Sequence, residues 1–461
     1  MDGEVDKRSA LIVAMLSSFF TPFMASSVVV ALPVISDEFS MDAVLLSWVA
    51  TAYLLAAAMF LLPFGRIADI KGRKKVFLYG MAVFTSASVL CAVSPSSMFL
   101  IVFRFLQGFG SAMIFGTSVA IVTSAYPLQE RGKALGLTVA IVYLGLSVGP
   151  FFGGFLTSTV GWRSIFLVPL PLSAIIFYVT IRKLRTDWAE AKGEPFDVAG
   201  SGIYALSLVG VVLGLSLLPG TDGLLLLVLG AVGVLVFAYW EMRTPSPVLN
   251  IPLFMRNRAF ALSNLAALIN YSATFAVTFL MSLYLQYVRD YNPAQAGAIL
   301  VAQPVVMAIF SPVAGKLSDL MEPRMIASAG MAITAIGLVF MSLFTAQTDL
   351  LLIIGCLAFI GFGFALFSSP NTNAIMCSVE KKYYGIAAAT VGTMRVLGQV
   401  LSLGIAALFL SVIVGSVELS HELADEFLDA FQISFIVFAA MCFLGVLPSL
   451  ARGTVRGSSA P

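Results

Sequence analysis

Charge is scarce in this chain. Only 11% of its 461 residues are Asp, Glu, Lys or Arg, against about 25% in soluble domains, while 59% are hydrophobic and the mean hydropathy is +0.99. So few charges cannot cover a water-facing surface, which excludes a soluble enzyme and a nucleic-acid-binding protein. Histidine is nearly absent, with His421 the single one. The four cysteines, Cys91, Cys356, Cys377 and Cys442, show neither pairing nor metal-ligand spacing. They read as small apolar residues, so neither a metal nor a cofactor is expected. No long polar stretch is present to form a separate soluble domain.

What fills the chain is apolar runs. Fourteen are long enough to cross a hydrocarbon core of about 30 Å, over 9–32, 45–64, 76–93, 97–121, 134–157, 164–181, 198–218, 223–240, 259–285, 294–314, 325–345, 350–370, 386–414 and 430–450. The expected class is therefore an all-α integral membrane protein. The first run is too long for a signal-peptide core and lacks a small-residue cleavage site, so it is expected to remain in the mature chain. The seventh and eighth runs are rich in glycine and leucine and nearly free of polar side chains, as in helices facing lipid. They read as a pair inserted beside a core of six plus six.

The basic residues support this layout. Placed on it, 22 of the 26 Lys and Arg fall on one side, and only Arg163 and Arg289 fall on the other. Short cytoplasmic loops are enriched in such residues, so both termini are expected to be cytoplasmic. The densest cluster is Gly65-Arg66-Ile67-Ala68-Asp69-Ile70-Lys71-Gly72-Arg73-Lys74-Lys75, which reads as a tight turn between the second and third runs. A worn copy with Gly315, Lys316, Ser318 and Asp319 follows the tenth run. The chain thus looks internally duplicated.

Two charges remain inside runs. Arg104 shares a helical face with Gln107, Gly108 and Ser111, and Arg395 with Gly392, Gln399 and Ser402. An arginine at mid-membrane costs roughly 3 kcal/mol on insertion scales, so each needs a partner or a wet cavity. Either a structural role among neighbouring carbonyls or a functional one fits that need. The 24 acidic residues, by contrast, all map to loops or span ends, leaving no carboxylate for a mid-membrane proton relay. Tyr53, Asn264 and Asn270 are further polar candidates for a midplane site. In the fifth run, Gly145, Gly149 and Gly153 recur every fourth residue and form a groove for close helix packing; Pro150 can kink that helix, and Gly154 follows. The same stretch contains Gly-x-Ser-x-Gly, but a hydrolase elbow needs a strand-turn-helix and a histidine. Here the context is one apolar helix, and the single histidine, His421, falls in an outer loop.

These motifs together resemble the major facilitator superfamily, and within it the fourteen-span drug/proton antiporter branch. Gly65 to Lys75 looks like the superfamily's loop signature, Arg104-Phe105-Leu106-Gln107-Gly108 like its fourth-span motif, and Gly145 to Gly154 like the fifth-span antiporter motif. Trp48 with Tyr53, Gly161 to Phe166, Phe196 to Gly200 and Pro252-Leu253-Phe254 resemble markers of the branch. The resemblance implies two six-helix bundles, over 1–192 and 256–461, with an inserted pair over 193–255. It implies that Gly65, Asp69, Gly72, Arg73, Gly315 and Asp319 act as a latch, with Asp69 facing the start of the thirteenth span. It also implies that Arg104 takes part in proton transfer and that the Gly145 to Gly153 groove lies at the interface of the halves. Where the branch carries an aspartate in the first span this chain has Met24, and Val29 replaces an asparagine.

The expected function is secondary transport of small amphipathic molecules out of the cell by alternating access, with proton antiport implied by the resemblance. An uncoupled facilitator or organic-anion exporter is the alternative. A cavity holding Arg104, Gln107, Arg395, Gln399, Tyr53, Asn264 and Asn270 but no acid disfavours organic cations. A monomer in the cell membrane is expected, with the bilayer, the substrate and protons as partners.

Overall fold

The computed structural model describes residues 7–127, 130–184, 186–380, 383–415, 417, 419 and 421–453, apart from the side chains at 131–133, 135, 136, 139, 140, 319 and 421. Fourteen helices long and apolar enough to span a membrane are present among these residues. They are α1 (Lys7–Phe39), α2 (Ala43–Lys71), α3 (Arg73–Ala92), α4 (Ser97–Ala125), α5 (Arg131–Thr159), α6 (Arg163–Lys183), α7 (Val198–Leu217), α8 (Thr221–Glu241), α9 (Arg258–Val288), α10 (Pro293–Ser318), α11 (Pro323–Met341), α12 (Leu350–Cys377), α13 (Tyr384–Val414) and α14 (Ala424–Ala451). Their number is even, so the start of α1 and the end of α14 lie on one side, together with most of the described lysines and arginines. This side is called the basic end below.

The duplication is visible in the packing. In the first half α1 lies along α5, α2 along α4 and α3 along α4; in the second, α9 lies along α13, α10 along α12 and α11 along α12. Each pair recurs eight helices later. The halves meet through α2 against α13, α5 against α10, and α1 against α9. Two six-helix bundles and an inserted hairpin result.

Three expectations change. The charged stretch from Gly65 is not a loop, because α2 continues to Lys71 and α3 begins at Arg73. Gly72 alone makes the turn, at φ +115°, a conformation that side chains with a β-carbon rarely adopt. In the repeat, the tenth span likewise continues as helix to Leu320 before α11 begins at Pro323. Only half of the inserted pair behaves as a lipid-facing element. Leu225, Val228, Leu229 and Leu235 of α8 are exposed, but α7 packs on both α2 and α13, across the seam of the bundles. Tyr204 donates to the Ala58 carbonyl of α2 at 3.1 Å, and Ser411 of α13 donates to the Leu218 carbonyl at 3.2 Å. The glycines of the pair serve its internal contact: a β-carbon on Gly214 would stand 2.5 Å from Leu227 N, and one on Gly230 2.5 Å from Val211 N. Backbones this close pack by dispersion without needing a hydrophobic effect.

The antiporter-like glycines also lie elsewhere than the resemblance implied. β-Carbons on Gly145 and Gly153 would stand 2.5 Å from Phe19 O and 2.3 Å from Ser27 O, and one on Gly149 would collide with Ser26 Oγ. That groove therefore seats α1, within the first bundle. The seam is met one residue further on, where a β-carbon on Gly154 would stand 2.2 Å from Pro293 O of α10; Gly297 of α10 meets Pro150 O in the same way, at 2.3 Å. Offsets of four placed three glycines on one helix face correctly. Which neighbour that face meets is decided by the bundle.

A cavity between the two halves

The helices enclose two small, adjoining cavities that share Leu146 and Gln399. The larger, about 70 Å³, is lined by Ser26, Tyr271, Thr278, Gln303, Met307 and Phe364 among others. The smaller, about 40 Å³, is lined by Thr21, Tyr53, Ser111, Phe115 and Arg395 among others. Both bundles contribute to each. Ligand pockets usually enclose about 300–1,000 Å³, so this is a contracted state, and a drug-sized solute requires the halves to part.

Of the two membrane arginines only Arg395 lines the cavity. Its guanidinium lies 4.8 Å from the centre of the Phe115 ring on the opposite bundle, and it makes no hydrogen bond or ion pair with a described residue. A β-carbon on Gly392 would come 2.9 Å from the same ring, so that glycine makes room for the stack. Gln399, one turn further along, and Gln303 also make no hydrogen bond to a described residue. Three polar groups thus face the cavity uncommitted, and no carboxylate lines it.

Arg104 is placed differently. It is wholly buried, donating through Nε to the Val49 carbonyl at 3.0 Å and through Nη1 to Gln107 Oε1 at 2.6 Å. Gln107 in turn donates to Ser88 Oγ at 2.7 Å, and the guanidinium lies 4.3 Å from the centre of the Tyr53 ring. Tyr53 stands between it and the cavity, its hydroxyl donating to the Thr21 carbonyl at 3.0 Å and lying 2.9 Å from Ser111 Oγ. Arg104 and Gln107 therefore brace α2, α3 and α4 rather than line the cavity. Asn264 and Asn270 are also outside it. Both are buried; the Asn264 amide donates within its own helix to Phe260 O at 2.9 Å, and the Asn270 amide points to Cys442 Sγ of α14 at 3.8 Å. α9 turns these residues toward its own bundle, while Tyr271, Thr274, Phe275 and Thr278 face the cavity. Phe115, Phe364 and Met307 carried no signal in the sequence beyond their apolar character.

The cavity is bridged above and below. At the end away from the basic loops, Ser282 donates to Val29 O at 3.2 Å, Gln286 to Val30 O at 3.1 Å, and the Ala294 amide to Ser158 Oγ at 3.1 Å. On the basic side Tyr143 of α5 and Ser368 of α12 share a hydrogen bond, with the Phe364 ring edge-on to Tyr143 and to Tyr271.

Of the residues expected to form a latch, those at the first turn cluster within the first bundle. Arg73 pairs with Asp69 at 2.7 Å and with Glu190 at 2.8 Å, and also reaches Ser124. Glu190 belongs to the strap that follows α6. The strap also pairs Glu194 with Arg66, accepts the Lys74 amide on Asp187 at 3.0 Å, and bonds its Ala191 amide to the Asp69 carbonyl at 2.9 Å. Asp69 thus has the expected Arg73, but the ion pairs recorded among the described residues do not reach α13. A β-carbon on Gly65 would meet nothing within 4 Å, and one on Gly315 would come 3.0 Å from Ser369 Oγ of α12. The side chain of Asp319 lies outside the described residues. At the other end Arg163 pairs with Glu38 at 2.6 Å, which neutralises one of the two cations there.

Arg452, just past the end of α14, is 2% exposed. It ties α9, α12 and the start of α11 to the end of α14, donating to Ser263 Oγ at 3.1 Å, Asn371 Oδ1 at 2.6 Å and Pro323 O at 3.2 Å. Burial pushes its guanidinium down to about 10, opposed by Glu322.

Comparison with known proteins decides the family. The sequence model of the Major Facilitator Superfamily matches twice, over residues 14–264 and 263–459. The chain belongs to this superfamily. It is a multi-pass membrane transporter, and the double match follows the duplication seen in its packing. Similar proteins include riboflavin transporter RibZ of Clostridioides difficile (strain 630), 30% identical over 96% of both chains. Cephamycin export protein CmcT of Amycolatopsis lactamdurans is 30% identical over 99% of this chain and 96% of its own. Multidrug resistance protein Stp of Mycobacterium tuberculosis (strain ATCC 25618 / H37Rv) is 30% identical over 86% of this chain and 74% of its own. The solved structure of a bacterial homologue of the human drug peptide transporters PepT1 and PepT2 shares the fold, with a TM-score of 0.66, 17% identity and coverage of 97% of this chain and 98% of that one.

Proposed function

We propose that this transporter exports small amphipathic molecules, neutral or anionic, by alternating access, as a monomer in the cell membrane with its basic end in the cytoplasm. The bundle of 1–192 rocks against that of 256–461, with 193–255 between them, and protons move inward as the solute leaves. One observation carries the substrate class. Arg395, a cation without an ion-pair partner, faces a cavity that no carboxylate lines. A positive potential in a low-dielectric site attracts anions and repels cations. The relatives named for cephamycin export and multidrug resistance support the outward direction, and the one named for riboflavin transport supports a solute of this kind. Asp69 and Arg73, with Gly65, Gly72, Gly315 and Asp319 around the two related turns, serve as the latch at the basic end. The strap from Asp187 to Glu194 occupies the loop's bases in the contracted state.

The test uses purified protein in liposomes with three fluorescent probes: riboflavin, carboxyfluorescein as an anion and ethidium as a cation. Flux of riboflavin or carboxyfluorescein is expected, with anion flux lowered at least about tenfold by Arg395→Gln, the loss of roughly one charge-assisted contact. Movement of ethidium alone overturns the charge argument. Internal pH recorded during flux separates antiport from the second reading, an uncoupled facilitator, which the carboxylate-free cavity favours.

A further inference from the structure

The cavity contains no acid, yet one carboxylate is buried elsewhere. Glu241, the last residue of α8, is 1% exposed and the only Asp or Glu among the described residues that is fully buried. Its Oε2 accepts the Leu249 amide at 2.8 Å, while Oε1 is buried without a partner. Close to Oε1 stands Asp197, which caps α7. Glu241 Oε1 and Asp197 Oδ2 lie 2.7 and 2.4 Å from the point where a Gly200 β-carbon would stand, and so at most 5.1 Å from each other. Asp197 accepts the Gly200 amide at 2.8 Å and the Trp240 indole N–H at 2.9 Å. Glu241 accepts the Leu249 and Val248 backbone amides, but neither reaches Oε1.

Among the described residues no ion pair reaches either carboxylate. Arg243 lies over the Tyr239 ring at 4.3 Å. On α2, Arg66 is paired with Glu194; on α13, Arg395 lies on Phe115 inside the cavity; the Tyr204 hydroxyl of α7 is bonded to Ala58 O. Asp197 is the one charged group that acts on Glu241. Two carboxylates this close, one of them buried with an unpartnered oxygen, are costly to ionise together.

We propose that Glu241 is the proton-binding group of this transporter, supplying in the inserted hairpin the acid that is missing from the first span. The reach of its hydrogen bond makes the site mechanical. Leu249 and Val248 pack with Leu62 of α2, Leu397 of α13, Tyr204 and Phe237, and the same linker leads to the short helix Ile251–Arg256 and then α9. A proton on Glu241 removes a charge from the place where hairpin, both bundles and linker meet. Losing that proton puts two like charges there and favours a hydrated, parted arrangement.

This rests on the antiport reading for its purpose, so the two are tested separately. Infrared difference spectra of the purified protein in lipid, taken between neutral and alkaline pH, need no substrate. A protonated-carboxyl C=O band is expected at neutral pH in the wild type and absent in Glu241→Gln, which keeps the acceptor for Leu249. Asp197→Asn, with Glu241 intact, should move the pH at which the band disappears. Superimposable wild-type and Glu241→Gln spectra overturn the assignment. In liposomes, Glu241→Gln is expected to retain downhill flux of riboflavin or carboxyfluorescein and to lose the accompanying pH change. Unaltered pH change in that variant overturns the inference and leaves antiport standing, whereas flux without a pH change in the wild type overturns antiport itself.

Discussion

Arg104 and Arg395 illustrate how little a local pattern says about a residue's role. Each stands in an apolar helix with a glycine, a glutamine and a serine at helical offsets, yet Arg104 is tied through Nε to Val49 O and through Nη1 to Gln107, leaving Nη2 buried and unpartnered, while Arg395 keeps its donors for the cavity. Their substitutions should therefore separate. Gln107→Leu strands a buried guanidinium and is expected to cost about 2 kcal/mol, read as a lower melting temperature in detergent with the charge preference unchanged. Arg395→Gln should leave the melting temperature nearly unaltered and change which probes move. At the turn between α2 and α3, Gly72→Ala meets both a positive φ and Asp187 at 2.5 Å. A loss of about 1–3 kcal/mol is expected from the backbone alone, measured by the same melt.

Helix packing makes a sharper contrast between neighbours. Gly153 faces α1 inside one bundle, and Gly154 faces Pro293 across the seam. Gly153→Val should disrupt the first bundle and lower the yield of folded protein. Gly154→Val should fold but be unable to close the end away from the basic loops, since its side chain would occupy the position of the α10 backbone. Faster maleimide labelling of a cysteine introduced at Thr278, applied from that side, would show it, and unchanged labelling would refute it. Gly145, Gly149 and Gly153 were legible as one face because their offset of four is a property of the helix itself. The partner of that face was not, because α1 and α10 are both apolar helices that a glycine surface can accept.

At the scale of the whole molecule, Ser282, Gln286 and Ala294 make described hydrogen bonds across the seam at the end away from the basic loops, and Tyr143 and Ser368 make one nearer the basic end. Tyr143→Phe removes that bond while keeping the ring against Phe364, and a shift toward the state open at the basic end is expected. Distance measurements between spin labels at Lys75 and Arg324 should lengthen in the variant. The same two positions should react with an impermeant thiol reagent from one face only when replaced by cysteine. Reaction from opposite faces would contradict the fourteen-helix topology.

The number of spans, the shared side of their basic connections and the twofold repeat were already determined by the sequence, because the bilayer imposes length and charge placement on each segment independently of the others. The tertiary structure alone decided that Arg395 faces the cavity and Arg104 does not, that α7 bridges the seam, that Arg452 is buried, and that a buried carboxylate lies beside Asp197 at the foot of α8. Each of those depends on which helix stands opposite, and in a chain whose helices are nearly all apolar, that choice rests on shape and close packing rather than on composition.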